Sequence, residues 1–398
     1  IQRVGGLRPS PAYRIDLAGI RARIDAARLC GNRVLFEATS VPIKTRAMAL
    51  LGIELPIIQA PMAGATTPQL VAAVSEAGGL GSFGAAATAP DRIRAVINSV
   101  RQHSSRTFNV NLFVPDWEQT PPAPEAISAM QDVLAPYHQR LEAGEVPEPQ
   151  PMFGPFDEQL AVLIEEEVPV VSFHFGAPAD AVAKVKEARI LVMSSATTVA
   201  EARALEASGV DIIIAQGAEA GGHRGTFGGG DWRDALIGTL ALVPQVVDAV
   251  SVPVIAAGGI MDGRGVAAVL ALGAQAAQLG TAYLACPENS ISPAYREAVL
   301  SSDAERPSVT AVFSGKPARG LKNRYFEEMT AHEDKLLPFP AQYSIYRDLR
   351  ARATELEDGE FLPMWAGQGV GMATAESASE LTTRLAADAQ SVLELLRG

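Results

Sequence analysis

The residue best placed for chemistry is His174, which ends an apolar run and is followed closely by a glycine. Residues 170–176 read Val-Val-Ser-Phe-His-Phe-Gly. Apolar runs of this length with β-branched side chains predict a parallel strand that is buried on both faces. Such a strand would deliver one imidazole at its C-terminal end, where it can accept a proton near neutral pH. A buried structural histidine is the alternative, and a lone histidine is more often of that kind.

Glycine-rich segments follow three later predicted strands. They are Gly258-Gly259, Gly280-Thr281 and the segment 217–225, which also carries the cation Arg224. Backbone N–H groups that no side chain covers can reach a phosphate. Any one glycine pair is more typical of a tight turn, but the set predicts a phosphate-bearing ligand.

Carboxamide side chains are expected beside these glycines. Asn111 lies in the third predicted strand and Gln216 ends the sixth. A carboxamide can both donate to and accept from the polar edge of a flavin ring. The backbone of residues 60–62, after the first strand, would cover the face of such a ring. These residues together favour flavin mononucleotide (FMN) as the ligand.

Eight strands, with helical segments or loops between them, are predicted to position these residues. The strands are predicted over residues 56–60, 80–84, 107–112, 169–173, 190–194, 211–216, 253–257 and 275–279. This count predicts an α/β fold of the (β/α)8 TIM-barrel type, in which every strand ends at one mouth. An open doubly wound sheet is the alternative, and it normally has fewer strands.

Three regions lie outside the regular strand–helix alternation. Residues 1–45 are expected to form an N-terminal extension, and residues 46–286 the FMN-binding barrel. The segment 115–155 contains nine prolines and is predicted to be an insertion after strand three, with one helix near residues 125–134. Residues 287–398 are expected to form a helical region that packs on the barrel.

Composition excludes several classes of protein. The chain has 398 residues and a formal net charge of −12, which argues against binding to nucleic acid. Two cysteines, Cys30 and Cys286, make neither a disulfide framework nor a metal motif, and they favour a reducing, cytoplasmic compartment. No apolar stretch reaches about 18 residues, so no membrane span is predicted. His174 and His223 lack accompanying carboxylate or thiolate ligands, so no metal site is predicted.

Six segments, in order, resemble the nitronate monooxygenases, formerly called 2-nitropropane dioxygenases. The resemblance covers about residues 46–370 outside the insertion. The segments are residues 55–64 (LPIIQAPMAG), 73–81 (AVSEAGGLG), 108–113 (FNVNLF), 172–176 (SFHFG), 216–225 (QGAEAGGHRG) and 278–281 (QLGT).

The resemblance implies an FMN-dependent barrel that oxidises alkyl nitronates, propionate 3-nitronate being one possibility, with molecular oxygen and without a metal. It implies that His174 is the catalytic residue, as a base or as a group that holds the nitronate anion. Taken with the strand-end residues, it gives a cofactor-binding set of Ala60, Pro61, Met62, Asn111, Gln216, Gly221, Gly222, Gly258, Gly259, Gln278, Leu279, Gly280 and Thr281.

Several alternatives stay open. One is an NAD(P)H-dependent flavin reductase of related fold that acts on quinones or enoyl thioesters, and another is a flavin-binding protein without turnover. His223 either touches the site or does not, and a homo-oligomer is possible. Lys322 and Tyr325 are candidates for a substrate cover, and His138 is expected at the surface.

Overall fold

The computed structural model describes residues 42–115, 121–301 and 307–397. The predicted N-terminal extension therefore lies almost entirely outside the described residues. The described chain forms the predicted barrel, with eight parallel strands. They are β1 (Ile57–Gln59), β2 (Gly81–Gly84), β3 (Phe108–Phe113), β4 (Val170–His174), β5 (Leu191–Ala196), β6 (Ile212–Gln216), β8 (Val254–Ala257) and β9 (Ala276–Leu279).

The sheet closes on itself. Its strand order is β1-β9-β8-β6-β5-β4-β3-β2, with parallel pairing throughout. The two ends of this order meet at a parallel bridge between Ile58 and Leu80. Gln59 N donates to Leu80 O, and Leu80 N donates to Ile57 O, both at 3.0 Å. The (β/α)8 barrel is confirmed.

Alternate residues of each strand face opposite sides, because side chains alternate across a strand. Val170, Ile212 and Ile214 point into the barrel, where they form a core with Met48 and Leu51 of the first helix. Their neighbours Val171 and Ile213, with others of the same register, pack outward against the surrounding helices. Because apolar side chains fill the barrel at the end where the strands begin, the open mouth lies at their C-terminal ends.

Helices surround the barrel. They are α1 (Arg46–Leu51), α2 (Pro68–Glu76), α3 (Pro90–His103), α4 (Pro124–Leu141), α5 (Phe156–Glu165), α6 (Ala179–Glu187), α7 (Val199–Ala207), α8 (Thr239–Ala249) and α9 (Gly263–Ala271). The 115–155 segment contains more helix than predicted, since α4 extends seven residues beyond the expected end and includes Pro136. No helix among the described residues is both long and apolar enough to cross a membrane.

Residues 287–397 contain strands as well as helices. The helices are α10 (Pro293–Leu300), α11 (Arg324–Thr330), α12 (Ala341–Ile345), α13 (Arg347–Glu355) and α14 (Ala378–Arg397). Two short strands, β10 (Ser308–Thr310) and β11 (Ala318–Gly320), form an antiparallel sheet with β7 (Gly222–His223) of the loop after β6. The sequence predicted a helical region here and gave no sign of this sheet, because its strands are only two or three residues long.

Candidate active site

A cavity of about 600 Å³ opens at the C-terminal ends of the strands. This volume is within the usual range for cofactor and small-molecule sites. His174 and all thirteen residues of the predicted cofactor-binding set line it. The barrel brings them together because each lies at or just after a strand end. Their roles stay a prediction.

His174 is held by hydrogen bonds at both ring nitrogens. Its Nδ1 lies 2.6 Å from Ser195 Oγ on the neighbouring strand β5, and its Nε2 lies 3.2 Å from the carbonyl oxygen of His223. The rings of Phe113 and Phe175 pack on the imidazole, with centroids 5.6 and 4.5 Å away. The orientation of the imidazole is therefore fixed by its neighbours.

Burial makes the neutral form of both histidines the stable one. Burial lowers the pKa of His174 to about 4, with a further lowering from the nearby cation Lys316. Burial, then the proximity of His174 and Lys316, lowers the pKa of His223 to about 3. His174 is thus uncharged at neutral pH.

Gln216 fixes the loop that covers His174. Its Nε2 donates to His223 O at 3.1 Å, and its Oε1 accepts from Gly225 N at 2.8 Å. This carboxamide was predicted to meet the flavin edge, yet here both of its ends bind the chain itself. Asn111 likewise donates to Ser172 O and Ser172 Oγ, at 3.1 and 3.0 Å.

Arg224 does not face the cavity, contrary to the expectation that it adds a cation to the phosphate loops. It is buried, and its guanidinium donates to the carbonyl oxygens of Gly217, Gln216 and Ala235 at 2.7, 3.1 and 3.2 Å. The sequence of a glycine-rich loop does not reveal whether its arginine binds a ligand or donates hydrogen bonds to the loop's own carbonyl groups.

The cavity fits a flavin mononucleotide at two points. The Oε1 atom of Gln278 is buried without a hydrogen-bond partner, so it can accept from a ligand. Gly280 leaves open space beside it, since a Cβ there would meet only Ala60 Cβ at 3.5 Å and Met62 Sδ at 3.9 Å. A Cβ on Gly258 would lie 3.0–3.2 Å from its neighbours at φ +114°, and one on Gly221 would lie 2.6 Å from Gly367 N. Glycine is therefore required at both positions.

The C-terminal region supplies cavity walls that the sequence analysis did not find. Phe339, Trp365 and Tyr295 line the cavity. Phe339 and Trp365 pack on the ring of His223, with centroids 5.7 and 5.5 Å away. Nothing in the local sequence marks these residues, because only the tertiary fold brings them to the mouth.

Two sequence-based expectations about other residues are wrong. Tyr325 is fully buried among the aromatic side chains of the C-terminal region, and neither it nor the exposed Lys322 lines the cavity. His138 is buried and bonded to the Gly144 carbonyl rather than lying at the surface. His223, which was left open, does line the cavity. In the described part of the chain, no group of three His, Cys, Asp or Glu side chains is arranged to hold a metal.

The chain is similar to known proteins over most of its length. The family model described as nitronate monooxygenase matches residues 44–388. A probable nitronate monooxygenase of Staphylococcus aureus is 42% identical over 348 residues, covering 86% of this chain and 96% of that protein.

Solved structures show the same likeness. The nitroalkane oxidase of Streptomyces ansochromogenes matches with a TM-score of 0.82 and 40% identity, over 88% of this chain and 100% of that one. FabK of Thermotoga maritima matches with a TM-score of 0.71 and 32% identity, over 89% and 99% of the two chains.

Proposed function

The chain belongs to the nitronate monooxygenase family, and on that premise we propose that it oxidises alkyl nitronates with molecular oxygen, using FMN. Family membership makes the protein an oxidoreductase that acts on nitroalkanes or nitronates. The substrate, the oxygen chemistry, the choice of FMN and the role of His174 are the parts that we propose. Propionate 3-nitronate is the substrate to test first.

One observation carries the proposal: a single cavity brings an orientated imidazole together with the glycine-containing ends of the later strands. The glycines at 258–259 and 280, with Thr281, would hold the phosphate, and Gln278 would meet the polar edge of the ring. FMN, when bound, would supply the electron-accepting chemistry that the oxidation needs.

The protein's own residues would prepare the substrate. A neutral nitroalkane must lose the proton on the carbon beside its nitro group before it can be oxidised. The C–H electron pair then moves onto the nitro group and gives the nitronate. A pKa lowered to about 4 keeps His174 in its proton-accepting form across the neutral range. Phe113, Phe339 and Trp365 line the cavity and exclude water from the reacting atoms.

The decisive experiment begins with the visible spectrum of the purified protein. Propionate 3-nitronate is then added without oxygen. A flavin spectrum that bleaches supports both the cofactor and the oxidation of the nitronate. A flavin that ignores the nitronate but bleaches with NADH would replace this proposal with the reductase alternative. Absence of any flavin after reconstitution with FMN would refute the cofactor assignment.

His174→Ala tests the role of the imidazole. The variant should retain flavin and lose turnover of neutral nitroalkanes by about 10²-fold or more, which is the usual size of a general-base contribution. Turnover of preformed nitronates should fall much less, because they have already lost the proton. Equal losses with both substrates would refute proton abstraction by His174.

A further inference from the structure

The nitrogen-bearing edge of the His174 ring is covered by protein. Ser195 Oγ lies 2.6 Å from Nδ1, and the His223 carbonyl oxygen lies 3.2 Å from Nε2. Gly225 packs against the atom between them, since a Cβ at this position would lie 2.8 Å from Cε1 of the ring. A substrate in the cavity therefore meets no uncovered ring nitrogen.

The two partners of the ring assign its proton. A carbonyl oxygen only accepts hydrogen bonds, so Nε2 carries the hydrogen that it donates to His223 O. A neutral imidazole has one N–H, and Nδ1 is then the lone-pair atom. Nδ1 accepts from the Ser195 hydroxyl. The basic atom of His174 therefore faces Ser195.

Ser195 connects this basic atom to the cavity. Its side chain lines the cavity, although little of it is exposed. It lies on β5, whereas its neighbour Ser194 points away and donates to the carbonyl oxygens of Phe173 and Gly176, at 3.3 and 3.0 Å. Of these two adjacent hydroxyls, only that of Ser195 touches both His174 and the cavity.

We propose that Ser195 is a second catalytic residue, through which His174 takes the proton of a neutral nitroalkane. The step rests on the proposed function. The C–H bond beside the nitro group breaks, and its proton goes to Ser195 Oγ. At the same time the hydroxyl proton of Ser195 passes to Nδ1 of His174. The C–H electron pair moves onto the nitro group, so the products are a nitronate and a protonated His174.

Ser195→Ala is the test, with Ser194→Ala as the matched control on the same strand. In Ser195→Ala, we expect kcat/KM for nitroethane to fall by about 10²-fold or more, while turnover of ethyl nitronate and flavin content stay near those of the wild type. Ser194→Ala should keep both activities. Of the two protons that move in the wild type, only the Ser195 hydroxyl proton exchanges with the solvent. The solvent isotope effect should therefore vary linearly with the deuterium fraction of the water, and it should persist with nitroethane deuterated at the reacting carbon.

A measurement that does not depend on turnover tests the geometry. The ¹⁵N NMR spectrum of the histidine side chains should show His174 as the Nε2–H tautomer in the wild type. An Nδ1–H tautomer would overturn the relay.

The kinetic outcomes separate the relay from the function on which it rests. Wild-type nitroethane turnover in Ser195→Ala, with turnover lost in His174→Ala, would mean that the ring acts directly and would overturn the relay. An equal fall for nitroethane and its nitronate would mean that Ser195 only supports the fold. No oxidation of either substrate by the wild type would instead overturn the proposed function.

Discussion

Adding one methyl group at Gly225 should disable His174 without touching the cofactor cradle. A Cβ at this position would lie 2.8 Å from both His174 Cε1 and Ser195 Oγ, against 3.4–4 Å for ordinary contact. The shortfall is about 0.6–1.2 Å. The imidazole cannot retreat, because the rings of Phe113 and Phe175 pack against it.

The expected loss follows from this displacement. A shift of about 1 Å in a catalytic group costs about 10²-fold in rate, so kcat/KM of Gly225→Ala for nitroethane should fall by that factor. Overpacking should also lower the free energy of unfolding by about 1–3 kcal/mol. Flavin content should stay unchanged, since Gly225 does not line the cavity.

The assay is steady-state oxidation of nitroethane, with the flavin spectrum and a urea titration on the same preparation. Gly371→Ala is the control, because a Cβ there meets no atom within 4 Å. The reasoning about the packed loop is refuted when Gly225→Ala oxidises nitroethane at the wild-type rate.

Three further predictions concern other parts of the site. Burial lowers the pKa of His174 to about 4, so the proton-accepting form of the imidazole is lost only as the pH falls through about 4. The kcat/KM for nitroethane should therefore decline near that pH. A decline centred near pH 6.5 in a pH-jump assay would contradict this prediction. Gly280→Asp should weaken FMN binding through the charge of its carboxylate alone, since the nearest atom to a Cβ at this position is 3.5 Å away. Gly280→Asn is the uncharged control. Equal FMN affinities of the two variants in a fluorescence titration would exclude charge as the cause. Arg224→Met should lower the free energy of unfolding by about 3 kcal/mol or more, because three buried carbonyl oxygens lose their hydrogen-bond donor. Substitution of the exposed Arg203 by Met is the control and should have little effect. Equal urea midpoints of the two variants would contradict the role of Arg224 in stabilising the loop.

The barrel was predictable because each of its strands has a local signature. Apolar runs such as residues 212–216 indicate burial on both faces, and glycines or prolines mark their ends. Once the eight strands are counted, barrel geometry alone places their C-terminal residues at one mouth. His174, Gln278 and Gly259 could therefore be assigned to a common cavity before any coordinates were known.

The rest of the site depends on contacts between distant parts of the chain. Ser195 directly follows the fifth predicted strand, but its bond to His174 requires the register between β4 and β5. Trp365 and Phe339 come from the region beyond the barrel, where no periodic pattern points to the mouth. Arg224 was misassigned because its sequence neighbours do not reveal the carbonyl groups that it binds.

The last helix of the described chain has a consequence for biosynthesis. Helix α14 packs against α9, α2 and β1, and Thr382 lies 2.7 Å from the hydroxyl of Tyr283, just after β9. It therefore covers the joint at which the first and last barrel strands pair. On the ribosome, a chain shorter than about residue 378 would leave this joint uncovered, with apolar helix faces exposed to other nascent chains. Chaperone demand during translation should thus last until helix α14 has emerged, long after all eight strands are made.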